Sequence, residues 1–491
     1  MVNANPAIRL QESNEEELVA HESPIKWCSV ALADVLARGK RLEASVFDVE
    51  AMQAYQLLTH GKYPSVPLIG AESPVRRAYY GGRMKRRYVD KNKENAVGFL
   101  GSSEMLDCNP RAVKFMCDDA WAKDSHVEEG MILLSRSGTI GNVTYVGKTL
   151  SRYLISEHAI RMECREFPGY VYAFLKSKVG KLTVSSTQYG AVIQEIEPGH
   201  LAHIPIPNAP VILKNRIHHL IEQSFALRDE SNDLIDEATA LLVKELSLPA
   251  IGEFAPNFYA KGANVDTFSV AMSRLEGRLE ASYHVPIVDA IIEHLRINAA
   301  EVTTIGDAHI SKEVILPGRF KRIYVDEGHG RIFIGGKQLY ELDPVNKKYL
   351  SNVHHGSRIS KQLELHENMT LVTCSGTIGK VSLVPKHWEN WTANQHIIRI
   401  VPANEDIAGY LNIFLASDYA HPLITRFTYG SVVDEIDDNH VRRIAIPLLK
   451  NHAAQKEIND LALTANKKRY EAYCMEQEAL KILNEQIIFA K

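Results

Sequence analysis

The sequence predicts an α+β fold made by tandem duplication of one mixed domain, with each copy followed by a long helix. Landmarks between Trp27 and Pro207 return in the same order 236 to 241 residues later. Within each copy, short β-branched runs bounded by turn residues alternate with short amphipathic stretches, which is typical of a mixed domain. A heptad pattern of small and apolar residues closes each copy.

The duplication is the observation on which the domain organisation depends. RLEAS at 41–45 and SGTIG at 137–141 return without change at 278–282 and 375–379. Further matched pairs are 82–90 with 318–326, 158–161 with 396–399, 189–190 with 429–430, and 204–207 with 444–447. Chance does not keep so many landmarks in order, so an internal repeat is indicated.

Composition indicates the boundaries between the predicted domains. The N-terminus is polar and acidic, unlike a signal peptide, and is expected to be a tail. Residues 247–264 carry Pro, Gly and Asn without periodicity, which is typical of a linker. The predicted order is a tail at 1–26, domain 1 at 27–210, its helix at 211–247, a linker at 248–264, domain 2 at 265–450 and its helix at 451–491.

Strands and short helices are predicted at matching places in both copies. Strands are expected at 131–134, 142–146 and 159–162, and at 370–373, 381–384 and 397–401. Short amphipathic helices are expected at 169–179 and 409–420.

Length and composition restrict the class of protein. The chain has 491 residues, of which 45% are hydrophobic and 24% charged, as expected for several soluble domains. No apolar run reaches about 18 residues, so no membrane contact is expected. Six cysteines show neither metal spacing nor a disulfide framework, which favours the cytoplasm. A net charge of −4 means that any nucleic-acid binding depends on local basic patches.

The two long helices have equivalent heptads, offset by 241 residues. In the first, small residues at position a (Ser224, Ser231, Ala238) accompany leucines at position d, and Lys468 is the misfit in the second. The predicted helix seam consists of Ile217, Leu220, Leu227, Leu234, Leu241, Ile458, Leu461, Met475 and Ile482.

A short basic run stands at the same place in each copy of an otherwise acidic protein. Arginine forks suit phosphates and guanine edges, and we interpret the run as a DNA contact, although a solvated face is the alternative. The SGTIG and Tyr-Gly loops offer hydroxyls and amides to a phosphate backbone, although tight turns alone would explain them. The candidate DNA-binding residues are Arg76, Arg77, Arg83, Lys85, Arg86, Arg87, Ser137, Thr139, Thr187, Gln188, Tyr189, Arg319, Lys321, Arg322, Ser375, Thr377, Arg426, Thr428 and Tyr429. For His158 and His396, which lie on apolar strands, a core position is the simpler interpretation.

No catalytic motif is found. Gly147-Lys148-Thr149 has the wrong glycine spacing for a phosphate-binding loop, and no carboxylate-lysine nuclease triplet, GxSxG elbow or zinc-protease histidine pair occurs. We therefore expect no catalytic residue, no metal site and no cofactor in this chain.

The repeat, the paired helices, the SGTIG loops and the Ile-Pro-Ile-Pro or Ile-Ala-Ile-Pro entry to each helix resemble the specificity subunit of type I restriction-modification systems. The resemblance covers the chain from about Trp27 onward. It implies two target recognition domains, each reading half of a bipartite DNA site, and two helices packed as an antiparallel coiled coil. A helix of about 36 residues would be about 54 Å long, more than one turn of B-DNA. A one-heptad insertion or deletion is expected to change the spacing of the target and not its bases.

The resemblance also implies the partners. These are double-stranded DNA, two methyltransferase (modification) subunits that use S-adenosylmethionine to methylate adenine, and restriction subunits that use ATP with Mg to translocate and cleave. We expect an asymmetric target, because the second copy has Thr428 in place of Gln188 and Arg426 in place of Ser186. The segments 91–128 and 327–366 are also nearly unrelated in sequence.

Other readings remain open from the sequence. One is a specificity subunit of another phage-defence methyltransferase system. A second is a DNA methyltransferase or nuclease with two recognition domains, and a third is an adaptor whose repeats bind protein.

Overall fold

A computed structural model of the chain describes residues 29–37, 47–82, 86–119, 122–138, 140–189, 194–254, 267–344 and 347–490. The predicted tail, half of the predicted linker and the first RLEAS lie outside the described residues. The chain forms two compact units, one from 1–229 with 472–491 and the other from 230–471. Each unit is described separately.

In its described residues, the first copy of the repeat contains six α-helices and ten strands. The helices are α1 (Leu32–Ala37), α2 (Val49–Thr59), α3 (Pro168–Lys176), α4 (Lys178–Ser185), α5 (Pro198–Leu201) and α6 (Val211–Glu245). The strands are β1 (Ser65–Pro67), β2 (Val75–Tyr79), β3 (Tyr88–Val89), β4 (Ala96–Leu100), β5 (Lys114–Cys117), β6 (Ile132–Ser135), β7 (Val143–Tyr145), β8 (Leu154–Ile155), β9 (Ala159–Cys164) and β10 (Pro205–Pro207).

The described part of the second copy contains the same number of each. Its helices are α7 (Pro286–Asn298), α8 (Asn352–Arg358), α9 (Glu405–Leu415), α10 (Ala420–Thr425), α11 (Asp438–Arg442) and α12 (His452–Leu483), which continues as a π-helical turn at Asn484–Ile488. Its strands are β11 (Glu301–Thr304), β12 (Ser311–Ile315), β13 (Tyr324–Val325), β14 (Gly330–Ile334), β15 (Lys348–Ser351), β16 (Thr370–Thr373), β17 (Val381–Leu383), β18 (Thr392–Ala393), β19 (Ile397–Pro402) and β20 (Ala445–Leu448).

Both copies arrange their strands in one topology. The first has sheets ordered β2-β9-β6-β7 and β3-β5-β4-β8 plus the pair β1-β10. The second has β12-β19-β16-β17, β13-β15-β14-β18 and β11-β20. The last strand of each second sheet pairs parallel (β4 with β8, β14 with β18), and every other pair is antiparallel. The α+β fold class and the duplication are therefore confirmed.

The predicted strands agree with β6, β7, β9, β16, β17 and β19 to within two residues at their ends. Each predicted short helix is divided into two. In the first copy, α3 ends where Ser177 takes an extended backbone, and its side chain then caps α4 by accepting from the amide of Gly180 (3.0 Å). The pattern of apolar residues continues across this break, so periodicity alone does not reveal it.

A buried arginine joins the two sheets in each copy. Arg161 on β9 donates to the carbonyls of Ile155 (2.5 Å) on β8 and Ala159 (3.1 Å). Its twin Arg399 donates to the carbonyls of Ala393 on β18 and Ile397 (3.1 Å). Burial lowers the pKa of Arg161 to about 10 and that of Arg399 to about 9. The shared His-x-Ile-Arg landmark thus includes a residue that fixes one sheet to the other.

The long helices pack on each other antiparallel within each unit. In the first unit, Arg216 contacts Glu478 (3.4 Å), whereas Ser224, further along α6, donates to the carbonyl of Ala472 (2.7 Å), earlier in α12. In the second unit Lys468 forms an ion pair with Glu230 (2.6 Å), which accounts for a lysine in the heptad pattern.

Burial in the helix pair is centred on the small residues and not on the leucines. Position a is fully buried in both helices, at Ser224, Ser231, Ala465 and Ala472 among others. The predicted seam residues Leu220, Leu227, Leu234, Leu241, Leu461 and Met475 are only half-buried, whereas Ile217, Ile458 and Ile482 are buried. Because side chains of serine and alanine let two helix backbones approach closely, the larger residues are displaced to the flanks.

The predicted linker begins inside the second unit's core. Leu248 and Phe254 are buried there, and Ile251–Phe254 forms a 3-10 helix. The peptide carbonyl of Pro249 also accepts a hydrogen bond from Tyr419 (2.8 Å). Proline and glycine signalled the end of the helix, but not the burial of the apolar residues between them.

One fully buried carboxylate stands at the helix junction of the first unit. Glu476 on α12 forms an ion pair with Arg228 on α6, lies 3.5 Å from the Nζ of Lys176 and accepts from the hydroxyl of Tyr172 (3.1 Å). Burial alone would raise the pKa of Glu476, but the charges of Arg228 and Lys176 outweigh it and lower that pKa to about 2. The second unit has Ile235, Asn412 and Ala416 at the equivalent positions of Glu476, Tyr172 and Lys176.

Replacing Glu476 with leucine is expected to destabilise the first unit by about 3–5 kcal/mol, because two buried cations lose their counter-charge. Urea unfolding followed by circular dichroism measures the loss. The double variant Arg228→Met with Glu476→Leu should recover part of it, since an apolar pair replaces the ion pair and only Lys176 still loses its contact with residue 476. Equal losses in the single and double variants would contradict a charge-based explanation.

The same pair predicts a pH dependence. Because the folded pKa of Glu476 lies below its usual 4.5, its ionised form stabilises the fold above that value and the contribution disappears as pH falls towards 2. The stability difference between the natural protein and Glu476→Gln should therefore be constant near neutral pH and shrink below about pH 4.5. A difference that grows on acidification would refute the assignment.

Candidate nucleic-acid interface

The SGTIG motif forms the turn of the β6–β7 and β16–β17 hairpins. All four of its glycines, Gly138, Gly141, Gly376 and Gly379, have φ between +74° and +84°. The left-handed backbone therefore accounts for the glycines. The turn geometry does not account for the serine. Oγ of Ser137 lies 2.6 Å from Nδ1 of His158 on the neighbouring turn, so its hydroxyl links the two turns.

In the first unit three separate loops meet around this serine. Glu195 forms isolated β-bridges with both Ser137 and Tyr189, which brings the Tyr-Gly loop to the hairpin. From the other side, Arg86 of the basic run donates to Glu157 (2.8 Å), the residue before His158. The side chain of His158 is about one-third exposed, at 37%, so the core position expected for it is only partly realised.

The second unit assembles the equivalent loops. Glu435 bridges Ser375 and Tyr429, and it also forms an ion pair with Arg319 of the basic run (2.9 Å). Arg322 donates to the side-chain oxygen of Gln395 (2.8 Å), the equivalent of Glu157. Burial lowers the pKa of the adjacent His396, which keeps its imidazole neutral.

An ion cluster around the buried Arg136 supports the surface in the first unit. Arg136 donates to Glu195 (3.0 Å) and Glu197 (2.5 Å), and its guanidinium lies 4.1 Å from the centre of the Tyr80 ring. The hydroxyl of Tyr189 donates to Glu197 (2.7 Å), and this hydrogen bond raises the pKa of Tyr189 to about 12. Burial alone would lower the pKa of Arg136, but its hydrogen bond to Glu197 and the charge of that carboxylate hold the pKa of Arg136 above its usual value.

In the second unit Cys374 occupies the position of Arg136, and burial raises its thiol pKa to about 12. Sequence reasoning missed Arg136, Glu157, Glu197 and Gln395. Glu195 was visible as a repeat landmark, but nothing in the sequence showed that its carboxylate faces Arg136.

Other predicted residues lie in varied settings. Arg76 and Arg77 are on β2, about two-thirds exposed, and form ion pairs with Glu163. Arg426 lies over the ring of Tyr283 (4.5 Å), and the carbonyl of Thr428 accepts from Arg278 (3.2 Å). Arg87, Lys321 and Thr377 are exposed, Gln188 is half-buried, and Thr187 donates to the carbonyl of Val184. Arg83, Lys85 and Thr139 lie outside the described residues.

Within the described ranges, no group of three or more His, Cys, Asp or Glu side chains is placed to hold a metal ion. None of the helices in the described part of the chain is both long and apolar enough to span a membrane.

Comparison with known proteins identifies one region. Residues 328–461 match the family model described as "Type I restriction modification DNA specificity domain". No curated protein sequence matches the chain.

Solved structures are also similar to the chain at low identity. One is the S subunit of a type I restriction-modification system from M. genitalium, with 12% identity, 84% of this chain and 92% of that chain covered, and a TM-score of 0.29. A second, from work on assembly and conformational transition of the type I system, has 13% identity, with 83% of this chain and 96% of that chain covered, and a TM-score of 0.27. A third is the HsdS subunit from Thermoanaerobacter tengcongensis, with 14% identity, 87% of this chain and 98% of that chain covered, and a TM-score of 0.26.

In each copy a serine of the SGTIG turn, a tyrosine of the Tyr-Gly loop and an arginine of the basic run are brought close together. Residues 328–461, in the second copy, match the type I restriction-modification DNA specificity domain, and the first copy repeats the strand order of the second. The resemblance found in the sequence is therefore confirmed.

Replacing Arg136 with methionine is expected to destabilise the first unit by about 3 kcal/mol, because Glu195 and Glu197 lose their buried counter-charge. The matched control is Cys374→Ala, which changes the equivalent position of the second unit by deleting one buried heavy atom and should cost about 0.5–1.5 kcal/mol. Urea unfolding of both variants measures the difference. Equal effects would show that the cluster contributes no more than its packing.

Proposed function

We propose that the chain is the non-catalytic DNA specificity subunit of a type I restriction-modification system. One recognition surface in each copy reads one half of a bipartite, asymmetric DNA site. The observation that carries the proposal is the convergence of the SGTIG turn, the Tyr-Gly loop and the basic run in each copy. The contacts run through Glu195 and Glu157 in the first copy and through Glu435 in the second.

The chemistry of these loops suits DNA. Arginine can bind phosphate or the O6 and N7 atoms of guanine, and hydroxyl groups can bind phosphate oxygens. Arg319 is 80% exposed although it is paired with Glu435, and an exposed ion pair contributes little to stability. Such an arginine can exchange its carboxylate for a DNA phosphate at small cost.

The proposed asymmetry follows from differences between equivalent positions. Arg86 is held by a carboxylate, Glu157, whereas Arg322 is held by an amide, Gln395. A carboxylate accepts hydrogen bonds, as from cytosine N4, whereas an amide both donates and accepts and suits adenine. The two surfaces therefore present different hydrogen-bonding groups from one backbone arrangement.

The partners proposed for the chain are two methyltransferase subunits and the restriction subunits. S-adenosylmethionine and ATP with Mg belong to those subunits, and this chain supplies the DNA sequence and the scaffold. The outer face of the long helices, away from the seam, is the proposed docking surface for them.

Methylome sequencing tests this function. Cells that carry the chain with its neighbouring methyltransferase should show a split, asymmetric adenine motif that disappears when the chain is deleted. An unchanged methylome would refute the proposal. Methylation of DNA by the purified chain with S-adenosylmethionine alone would instead establish a methyltransferase.

The isosteric substitutions Glu157→Gln and Gln395→Glu are expected to change different halves of that motif. Each changes the charge and the hydrogen-bonding character of one side chain beside an arginine but keeps its shape, so folding should be retained. Methylome sequencing of each variant is the measurement, and relaxation or change should be confined to one half-site. Tyr55→Phe, an exposed change on α2, is the control and should leave the motif intact. Simultaneous change of both halves by a single variant would contradict separate reading surfaces.

A further inference from the structure

An array of cationic and aromatic side chains lies on the second sheet of the first copy. Phe99 on β4 faces Lys114 on β5 in register, and Tyr88 lies on β3 at the other side of β5. The Nζ of Lys114 is 5.3 Å from the centre of the Tyr88 ring, and the guanidinium of Arg86 is 5.2 Å from the Phe99 ring. Tyr88 and Phe99 contact edge-to-face at 6.2 Å.

The second copy repeats this array at equivalent positions. Phe333 faces Lys348 in register, and the Nζ of Lys348 is again 5.3 Å from a tyrosine ring, that of Tyr324. Arg322 lies 5.6 Å from Phe333, and Tyr324 contacts Phe333 at 6.0 Å. We call these two sets of four residues the tyrosine–lysine arrays.

Packing explains only part of each array. Phe99 and Phe333 are buried, and any fold with this sheet would need apolar residues there. Tyr88 and Tyr324, however, are 44% and 42% exposed, and both lysines are exposed. The segments 91–128 and 327–366 are otherwise nearly unrelated in sequence. Lys114 and Lys348 lie in these divergent segments and are nevertheless kept at the same place, beside the tyrosines of the matched basic runs. The conserved placement of an exposed lysine indicates a shared task outside the core.

Each array adjoins its recognition surface through one arginine. Arg86 contacts both Phe99 in the array and Glu157 at the surface, and Arg322 contacts both Phe333 and Gln395 in the same way. DNA held by a recognition surface therefore has the adjacent array beside it. The residues that differ between the copies, Glu157 and Gln395, stand at the recognition surface, and the residues that are kept stand in the arrays.

We propose that the two tyrosine–lysine arrays bind the sugar-phosphate backbone of duplex DNA independently of its sequence. This inference rests on the proposed function and assigns backbone binding and base selection to different residues. The shared arrays supply contacts common to both half-sites, and the differing residues select the bases. An exposed lysine is a flexible point charge that can move from a tyrosine ring to a phosphate, and the tyrosine hydroxyl can donate to a second phosphate oxygen.

The test measures DNA binding of the full chain with its methyltransferase subunits by fluorescence anisotropy. Two duplexes are used, one carrying the methylated motif and one with the motif scrambled, over a series of salt concentrations. In Lys114→Ala with Lys348→Ala, both affinities should fall by the same factor, about five- to ten-fold per lysine near 0.1 M salt. The slope of log affinity against log salt should fall by about 0.9 for each lysine.

The matched control is Lys62→Ala. Lys62 is also exposed and its Nζ lies 5.9 Å from the centre of the Tyr63 ring, but it belongs to neither array. It should change neither the affinity nor the slope. Lys114→Arg with Lys348→Arg should restore binding, because arginine keeps the charge. Tyr88→Phe with Tyr324→Phe removes only the hydroxyls and should weaken binding to both duplexes equally.

Unchanged affinity in the lysine variants would overturn the inference and leave the arrays as packing alone. Loss confined to the motif duplex, with the slope preserved, would also overturn it, because it would make these residues base readers. If the natural complex binds no DNA and deletion of the chain leaves the methylome unchanged, the proposed function fails and this inference with it.

Discussion

Close approach of the two long helices is the constraint on which each unit depends. Position a carries serine or alanine through the middle of both helices, and every one of these side chains is fully buried. Ser224 reaches the backbone carbonyl of Ala472 directly, at 2.7 Å. A leucine there would force the helices apart, and the sheets that pack on them would lose their support. The small residues are therefore the ones that fix the geometry, although leucines dominate the visible pattern.

The repeat separates what the fold requires from what distinguishes the copies. Arg161 and Arg399 perform the same task, since each is buried and donates to carbonyls of the short strand in the second sheet. Arg136 and Cys374 occupy equivalent positions and do different things, because only Arg136 holds two glutamates. Two copies of one fold can thus keep their internal connections while the groups beneath their surfaces diverge.

The sequence predicts the elements well because their signals are local. Strands β6 and β16 follow from β-branched or apolar runs beside turn residues, and α6 begins at the predicted residue, after Pro210. Contacts between distant residues leave no such signal. Glu476 reads as a polar residue on a helix, but its partners Arg228 and Tyr172 are 248 and 304 residues away. Its burial, like the half-buried state of the leucines, depends on packing that periodicity does not contain.

The candidate surface was predictable as a set of loops but not as a site. The basic run, the SGTIG turn and the Tyr-Gly loop were each recognisable. Their meeting through Glu195 and Glu157 in one copy and through Glu435 in the other depends on the sheet order. Charge explains why the glutamates matter. In a chain with net charge −4, cations held in partly exposed ion pairs are masked rather than absent. A polyanion that competes for Arg86 and Arg319 releases those carboxylates to solvent, so local geometry can confer DNA binding that the overall charge conceals.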